Sequence, residues 1–124
     1  MISQKYRFHG HGSLNYVFSK GQMVRGRFFT IKWVENERRH HPRLAVVVSK
    51  KVFKAAVKRN RIRRRVYEIA RPLLNDAAAV DIVISVHVAE ALDAPHDELT
   101  IQLLPLLHEV GLKPQTAHKV SGIS

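Results

Sequence analysis

Hydrophobic positions along the chain change their spacing several times, and each change marks an element. Leu14, Val17 and Phe18 share one face at helical spacing, with Ser13 placed to cap the start and Gly21 to stop the turn. From Arg25 to Val34 the period drops to two. Phe29, Ile31 and Trp33 point one way and Phe28, Thr30 and Lys32 the other, which predicts a half-buried strand with Phe28 on the outward side. Glu35 to Pro42 reads as a polar connection. Arg43 to Ser49 contains Leu-Ala-Val-Val-Val, apolar in both phases, as suits a strand covered on both faces. A long helix is predicted from about Ala55 to Leu73, because Ile62, Val66, Ile69 and Leu73 fall in one narrow stripe. Asn60, Arg64, Tyr67 and Arg71 lie opposite that stripe, with Arg61, Arg63 and Arg65 on its flanks. Arg64 and Glu68 are spaced as an i,i+4 pair, and Pro72 with Asn75-Asp76 marks the exit. Val80 to Val88 is a third strand, mostly β-branched. Asp93 is placed to cap a last helix carrying Leu99, Leu103, Leu106, Leu107 and Val110, closed by Gly111. Proline inside a helix costs about 3 kcal/mol, so Pro105 predicts a kink or break there.

The order is therefore α-β-β-α-β-α, an α/β chain of the α+β two-layer sandwich type, with one sheet and helices on a face. A chain of 124 residues, 45% of them hydrophobic, supports one domain with a single core. Residues 13–111 carry all the predicted elements. Residues 1–12, rich in Gly and His, are expected to be a flexible basic arm, and residues 112–124 a loose tail.

Charge narrows the picture. The formal net charge is +11, and the sequence pI is about 10.6, so the natural partners are RNA, DNA or an anionic membrane surface. Cysteine is absent, which removes disulfides, thiolate nucleophiles and Cys-based zinc sites. No apolar run approaches the roughly 18 residues of a membrane span, and Met1 to Gly12 lacks the apolar core of a signal peptide. A cytoplasmic protein without a membrane partner is the expectation. Of the 21 basic residues, ten lie between Lys50 and Arg71, accompanied there by one acid, Glu68. Charge packed so densely repels itself, and a polyanion relieves the repulsion through counter-ion release. The helix favours Arg, whose planar fork grips phosphate at two points, and Asn60 adds a neutral donor and acceptor suited to a base edge or a 2′-hydroxyl. The plain alternative is a solvated helix face, which an acidic balance would normally accompany.

Bond-breaking chemistry has no visible seat. The acids are Glu35, Glu37, Glu68, Asp76, Asp81, Glu90, Asp93, Asp97, Glu98 and Glu109; they form no motif, and most fall in loops or helix starts. His9-x-His11 and His40-His41 lack a third ligand at useful spacing. No Ser/His/Asp arrangement can be assembled. The chain is read as having no catalytic residues and no metal site of its own.

Lys50-Lys51, seven intervening residues, then Arg59-Asn60-Arg61-Ile62-Arg63-Arg64 closely resembles the signature of the bacterial ribonuclease P protein subunit. The likeness extends over roughly residues 13–110, taking in Tyr16-Val17-Phe18, Val48-Ser49-Lys50-Lys51 and Asp81-Ile82-Val83-Ile84. The resemblance implies a ribosomal-protein-like fold with a left-handed β-α-β crossover, whereas parallel crossovers in general are right-handed. It implies that residues 13–111 form a single RNA-binding domain, and that catalysis belongs to an RNA subunit cutting precursor tRNA at its 5′ end. Mg2+ would be held mainly by that RNA and the substrate. The partners implied are ribonuclease P RNA and precursor tRNA, with no protein partner required.

By the same resemblance, Arg59, Asn60, Arg61, Arg63 and Arg64 contact the catalytic RNA, supported by Lys50, Lys51 and Arg65. A cleft for the single-stranded 5′ leader draws on Phe18, Phe28, Lys32, Lys50 and His87, since aromatic faces beside cations suit single strands. This sequence departs from the family at Leu14, where a cleft Phe is frequent, and at Lys32, where an aromatic is common. His87 stands near a position usually held by Arg or Lys, and histidine carries little charge at neutral pH. The main alternative is a structural RNA-binding protein of ribosomal type without a leader cleft. A DNA-binding regulator is a second, but it needs a dimer or a helix-turn-helix partner, and a strand directly ahead of the basic helix argues against that.

Overall fold

The computed structural model describes residues 6–8, 11–35, 41–74 and 79–112. The elements run α1 (His11–Lys20), β1 (Gln22–Arg25), β2 (Phe29–Glu35), β3 (Arg43–Val48), α2 (Ala56–Leu74), β4 (Val80–Val86), a 3-10 turn (Ala89–Leu92) and α3 (His96–Glu109). The sheet order is β1-β2-β4-β3, with β1/β2 and β2/β4 antiparallel and β3/β4 parallel. β4 takes a central place between β2 and β3: Val80, Ile82, Ile84 and Val86 are apolar in one phase, and all of the strand but Ser85 is buried. β3, equally apolar by sequence, is an edge strand instead, and Ala45 and Val47 are only half-buried, so the expected cover on both faces is incomplete.

Alternation divides the sheet cleanly. Ile31, Leu44, Val46, Ile82 and Ile84 face α2 and α3, joining Ile62, Val66, Ile69, Ala70, Leu74, Leu99, Leu103 and Leu107 in one core. Lys32, Thr30, Val83 and Ser85 fall in the opposite phase. α1 lies on that second face, where Lys32 reaches the carbonyl of Phe18. Gly21 ends α1 where a methyl group would meet the Val17 carbonyl and crowd the Trp33 backbone. Helices therefore occupy both faces of the sheet.

Several expectations change. The predicted strand from Arg25 to Val34 is two strands, because Gly26, Arg27 and Phe28 turn a hairpin whose Gly26 N–H donates to Phe29 O at 2.8 Å. A Cβ on Gly26 would stand 2.9 Å from Leu106 Cδ1, so the turn is pressed against α3. α1 begins before Ser13, which is inside the first turn and not at its cap. Asp93 follows the 3-10 turn, while Pro95 stands at the start of α3. α3 runs unbroken through Pro105: both Pro105 and Ile101 are exposed, so the missing backbone bond falls on the solvent side of the helix, where its loss costs least. Gly111, at φ 99°, closes α3 as predicted, with Leu112 N–H reaching Leu107 O at 2.9 Å. Leu112 is itself fully buried in the core. α2 carries the predicted stripe, with Leu74 in place of Leu73 as its last fully buried member. Met1 to Lys5, His9, Gly10, most of the polar connection (36–40, including His40), Asn75-Asp76 and residues 113–124 lie outside the described residues.

Candidate nucleic-acid interface

The approach to α2 is built by two side chains. Ser49 Oγ accepts the Lys51 N–H at 3.0 Å, and Ser49 O accepts the N–H groups of Val52 and Phe53, so a serine turn presents Lys50 and Lys51 to solvent. From the other end, Arg59 Nη1 donates to Phe53 O (2.9 Å) and Lys54 O (2.8 Å), tying the loop to the first turn of the helix. That turn contains no acid, although the N-terminus of a helix favours negative charge. Lys58 and Arg59 there compound the positive end of the helix dipole, a local conflict that an anion resolves.

Along α2 the arginines separate by orientation. Arg63 leans towards the edge strand, with Nε donating to Val46 O at 3.2 Å and Nη1 to Asn60 Oδ1 at 2.7 Å. This contact uses the Asn60 oxygen and leaves its amide N–H groups as donors. Arg65 turns the opposite way. Its Nη1 reaches Ala91 O (3.3 Å) and Leu92 O (2.6 Å), and its Nη2 reaches Ala94 O (2.5 Å). Arg61 and Arg64 stand exposed between these braces and make no hydrogen bond or ion pair among the described residues. Glu68 pairs with Arg71 at 3.1 Å and not with Arg64, which frees Arg64. Val57, one turn earlier on the same outward side, is 78% exposed.

The second surface lies across the sheet, on the face bearing α1. Register sets its floor in rows: Val34–Asp81–Arg43, then Lys32–Val83–Ala45, then Thr30–Ser85–Val47, with His87 beyond. Small and half-buried side chains at Thr30, Ala45, Val47 and Ser85 form the floor of a candidate groove beside α1. These four were not among the predicted residues, although the polar phase of the alternation already held Thr30. Lys32 Nζ donates to Phe18 O at 3.0 Å and sits 5.6 Å from the Phe18 ring centroid, joining a cation and an aromatic on the rim. His87 is half-buried, and its Nε2 is buried without a hydrogen-bond partner among the described residues.

Phe28 does not belong to this groove. It is 2% exposed, packs edge-to-face on Phe29 at 6.1 Å and carries the Arg27 guanidinium over its ring at 5.3 Å. The strand alternation that placed it outward does not apply, because Phe28 is part of the hairpin turn. The predicted cleft set thus reduces to Phe18, Lys32 and His87, with exposed Lys50 in the loop that follows β3.

The family model for ribonuclease P matches residues 2–111. The chain belongs to the ribonuclease P protein family. A ribonuclease P protein component from Chloroflexus aurantiacus is 40% identical over 105 residues, covering 80% of this chain and 77% of that protein. One from Thermus scotoductus is 42% identical over 93 residues, covering 75% of this chain. The chain spans about half the length of that Thermus relative, 53%. The solved RNase P protein of Staphylococcus aureus superposes with a TM-score of 0.74 at 28% identity, covering 83% of this chain and 93% of that one. The RNase P protein of Thermotoga maritima shares the fold, with a TM-score of 0.72 at 24% identity over 84% of this chain and 96% of that one.

Among the described residues, no group of three or more His, Asp or Glu side chains is arranged to hold a metal ion. His41, the described member of the His40-His41 pair, stacks edge-on against Tyr6 at 5.9 Å. No helix among the described residues is long and apolar enough to cross a membrane.

Proposed function

We propose that the chain is the protein subunit of a ribonucleoprotein endonuclease that removes the 5′ leader of precursor tRNA, with the RNA subunit as catalyst and Mg2+ held by RNA and substrate. Family membership supplies the frame. The observation that carries the division of labour is the pairing of two unlike surfaces on opposite faces of one sheet. The outward side of α2 offers Arg61 and Arg64, unpaired among the described residues, with the donor amide of Asn60, on a helix braced by Arg59, Arg63 and Arg65. Fixed guanidinium groups of this kind suit the folded backbone of a structured RNA.

The groove beside α1 offers a pinned cation, an aromatic and a floor of small side chains, the requirements for an extended single strand. Lys32 and His87 replace the family's more usual residues there, so the strand is held with less stacking and more by hydrogen bonds and charge. The cellular setting that follows is the cytoplasm, where precursor tRNA is found.

The test uses purified protein, its RNA and precursor tRNA. Protein alone is expected to cleave nothing. Added to its RNA, it should lower the magnesium requirement and raise substrate affinity; full-rate processing by the protein alone overturns the assignment. Lys32→Gln separates this reading from a structural RNA-binding protein. Affinity should fall for substrates carrying a leader and hold for mature tRNA, whereas an equal loss on both favours the structural role.

A further inference from the structure

Tyr6, Arg7 and Phe8 form an anchored piece of chain whose middle residue has no internal role. Tyr6 is 5% exposed and packs in the core, with the His41 ring against its own. Phe8 lies on the guanidinium of Arg43, whose Cζ is 4.8 Å from the ring centroid. Arg43 cannot move to accommodate a passing aromatic. It is 3% exposed and held by two hydrogen bonds to Asp81, Nε to Oδ1 at 2.9 Å and Nη2 to Oδ2 at 2.7 Å. A buried, bidentate pair is a rigid base for a cation–π contact, because shifting it strands a charge. With its neighbours fixed on both sides, Arg7 is exposed and makes no hydrogen bond, ion pair or ring contact among the described residues.

The position of this anchor gives Arg7 its meaning. Arg43 and Asp81 occupy the same face of the sheet as Lys32, in the row two residues further along the strands. At about 3.3 Å per residue, that row lies roughly 7 Å beyond Lys32, away from His87 and Lys50. The segment therefore sits at the far end of the groove, where the floor changes from small side chains to a covered ion pair.

We propose that Arg7 binds a phosphate of the single strand lying in the groove, and that Phe8 on Arg43 is the device that holds it there. The inference rests on the leader-groove reading. It predicts a cation at each end of the strand's path, Lys50 at one and Arg7 at the other, with Lys32 between. Phe8 and Arg43 act as positioning residues, since neither offers an accessible polar group to the strand.

Affinity is measured for the reconstituted ribonucleoprotein with precursor tRNAs whose leaders are graded in length, beside mature tRNA. Arg7→Ala should leave mature tRNA and the shortest leaders unchanged and weaken long leaders by roughly 3- to 10-fold, the scale of one ordinary net hydrogen bond. The slope of log affinity against log salt should drop by about 0.7 for the long leaders only. Arg7→Lys should restore most of the loss, and Phe8→Ala should reproduce it with Arg7 still present. Should Phe8→Ala fail to fold, the Arg7 variants decide alone, since Arg7 supports nothing internally. Unchanged binding of long leaders by Arg7→Ala overturns the inference, as does an equal loss on every substrate, which moves the contact to the catalytic RNA or the tRNA body. If the unaltered protein does not distinguish substrates by leader, the groove reading itself fails and takes this inference with it.

Discussion

Arginines one residue apart on α2 have opposite duties, and only their partners tell them apart. Arg64 is exposed and unpaired among the described residues, whereas Arg65 spends two nitrogens on the carbonyls of Ala91, Leu92 and Ala94. Arg59 is likewise committed, to Phe53 and Lys54. Replacement should therefore separate binding from stability. Arg61→Ala and Arg64→Ala are expected to leave the thermal midpoint unchanged, while each lowers the salt slope for the catalytic RNA by roughly 0.7–0.9. Arg59→Ala and Arg65→Ala should instead destabilise the fold by about 1–2 kcal/mol, since each deserts backbone acceptors. Melting curves beside salt-titrated binding check both halves; a fall in midpoint for Arg64→Ala refutes the distinction. The stripe of Ile62, Val66 and Ile69 makes the helix legible from sequence, because periodicity is local. The duty of Arg65 is not legible, because its acceptors lie 26 to 29 residues away, in a 3-10 turn and the residues just after it that no periodic pattern announces.

At the scale of elements, what could be read depended on whether neighbours in sequence decide the outcome. β4 declared itself by its mostly β-branched run, and Gly111 declared the end of α3 because a positive φ favours glycine. The β1–β2 hairpin did not. Its Gly26-Arg27-Phe28 turn lacks the usual Asn-Gly or Asp-Gly signal, and Phe28 continues the strand's alternation by coincidence. Phe28 packs against Phe29 under the Arg27 guanidinium, and Arg27 spans towards Glu90 of the 3-10 turn and Glu98 of α3 at 3.7 and 3.8 Å, contacts that neighbours in sequence do not announce. Phe28, outward by alternation alone, belongs to the core. Phe28→Ala should accordingly cost about 3–5 kcal/mol of folding stability, the range for emptying a buried aromatic site. Denaturant unfolding measures it. A stable Phe28→Ala protein that loses only leader-dependent affinity would restore the residue to the groove.

For the whole molecule, the sheet acts as a partition. α2 presents its arginines on the side of the core, and the candidate groove is on the side of α1, so the two proposed RNA surfaces share no side chain. They come together at the loop after β3, where Ser49 shapes the turn that exposes Lys50 and Lys51. Independent surfaces should have additive energetics, because sites more than about 7–10 Å apart without common partners combine to within roughly 0.5 kcal/mol. A double-mutant cycle between Arg64→Ala and Lys32→Gln tests this, read as the affinity of the ribonucleoprotein for precursor tRNA. The glutamine keeps a donor for Phe18 O while removing the charge, so α1 stays seated. Additivity is expected for this pair. Lys50→Ala, at the junction, is expected to couple with Lys32→Gln, since a leader released from one cation slides from its neighbour as well. Strong coupling between Arg64 and Lys32 contradicts the partition: it would mean that catalytic RNA and leader are bound through one continuous surface, with the sheet transmitting strain between them.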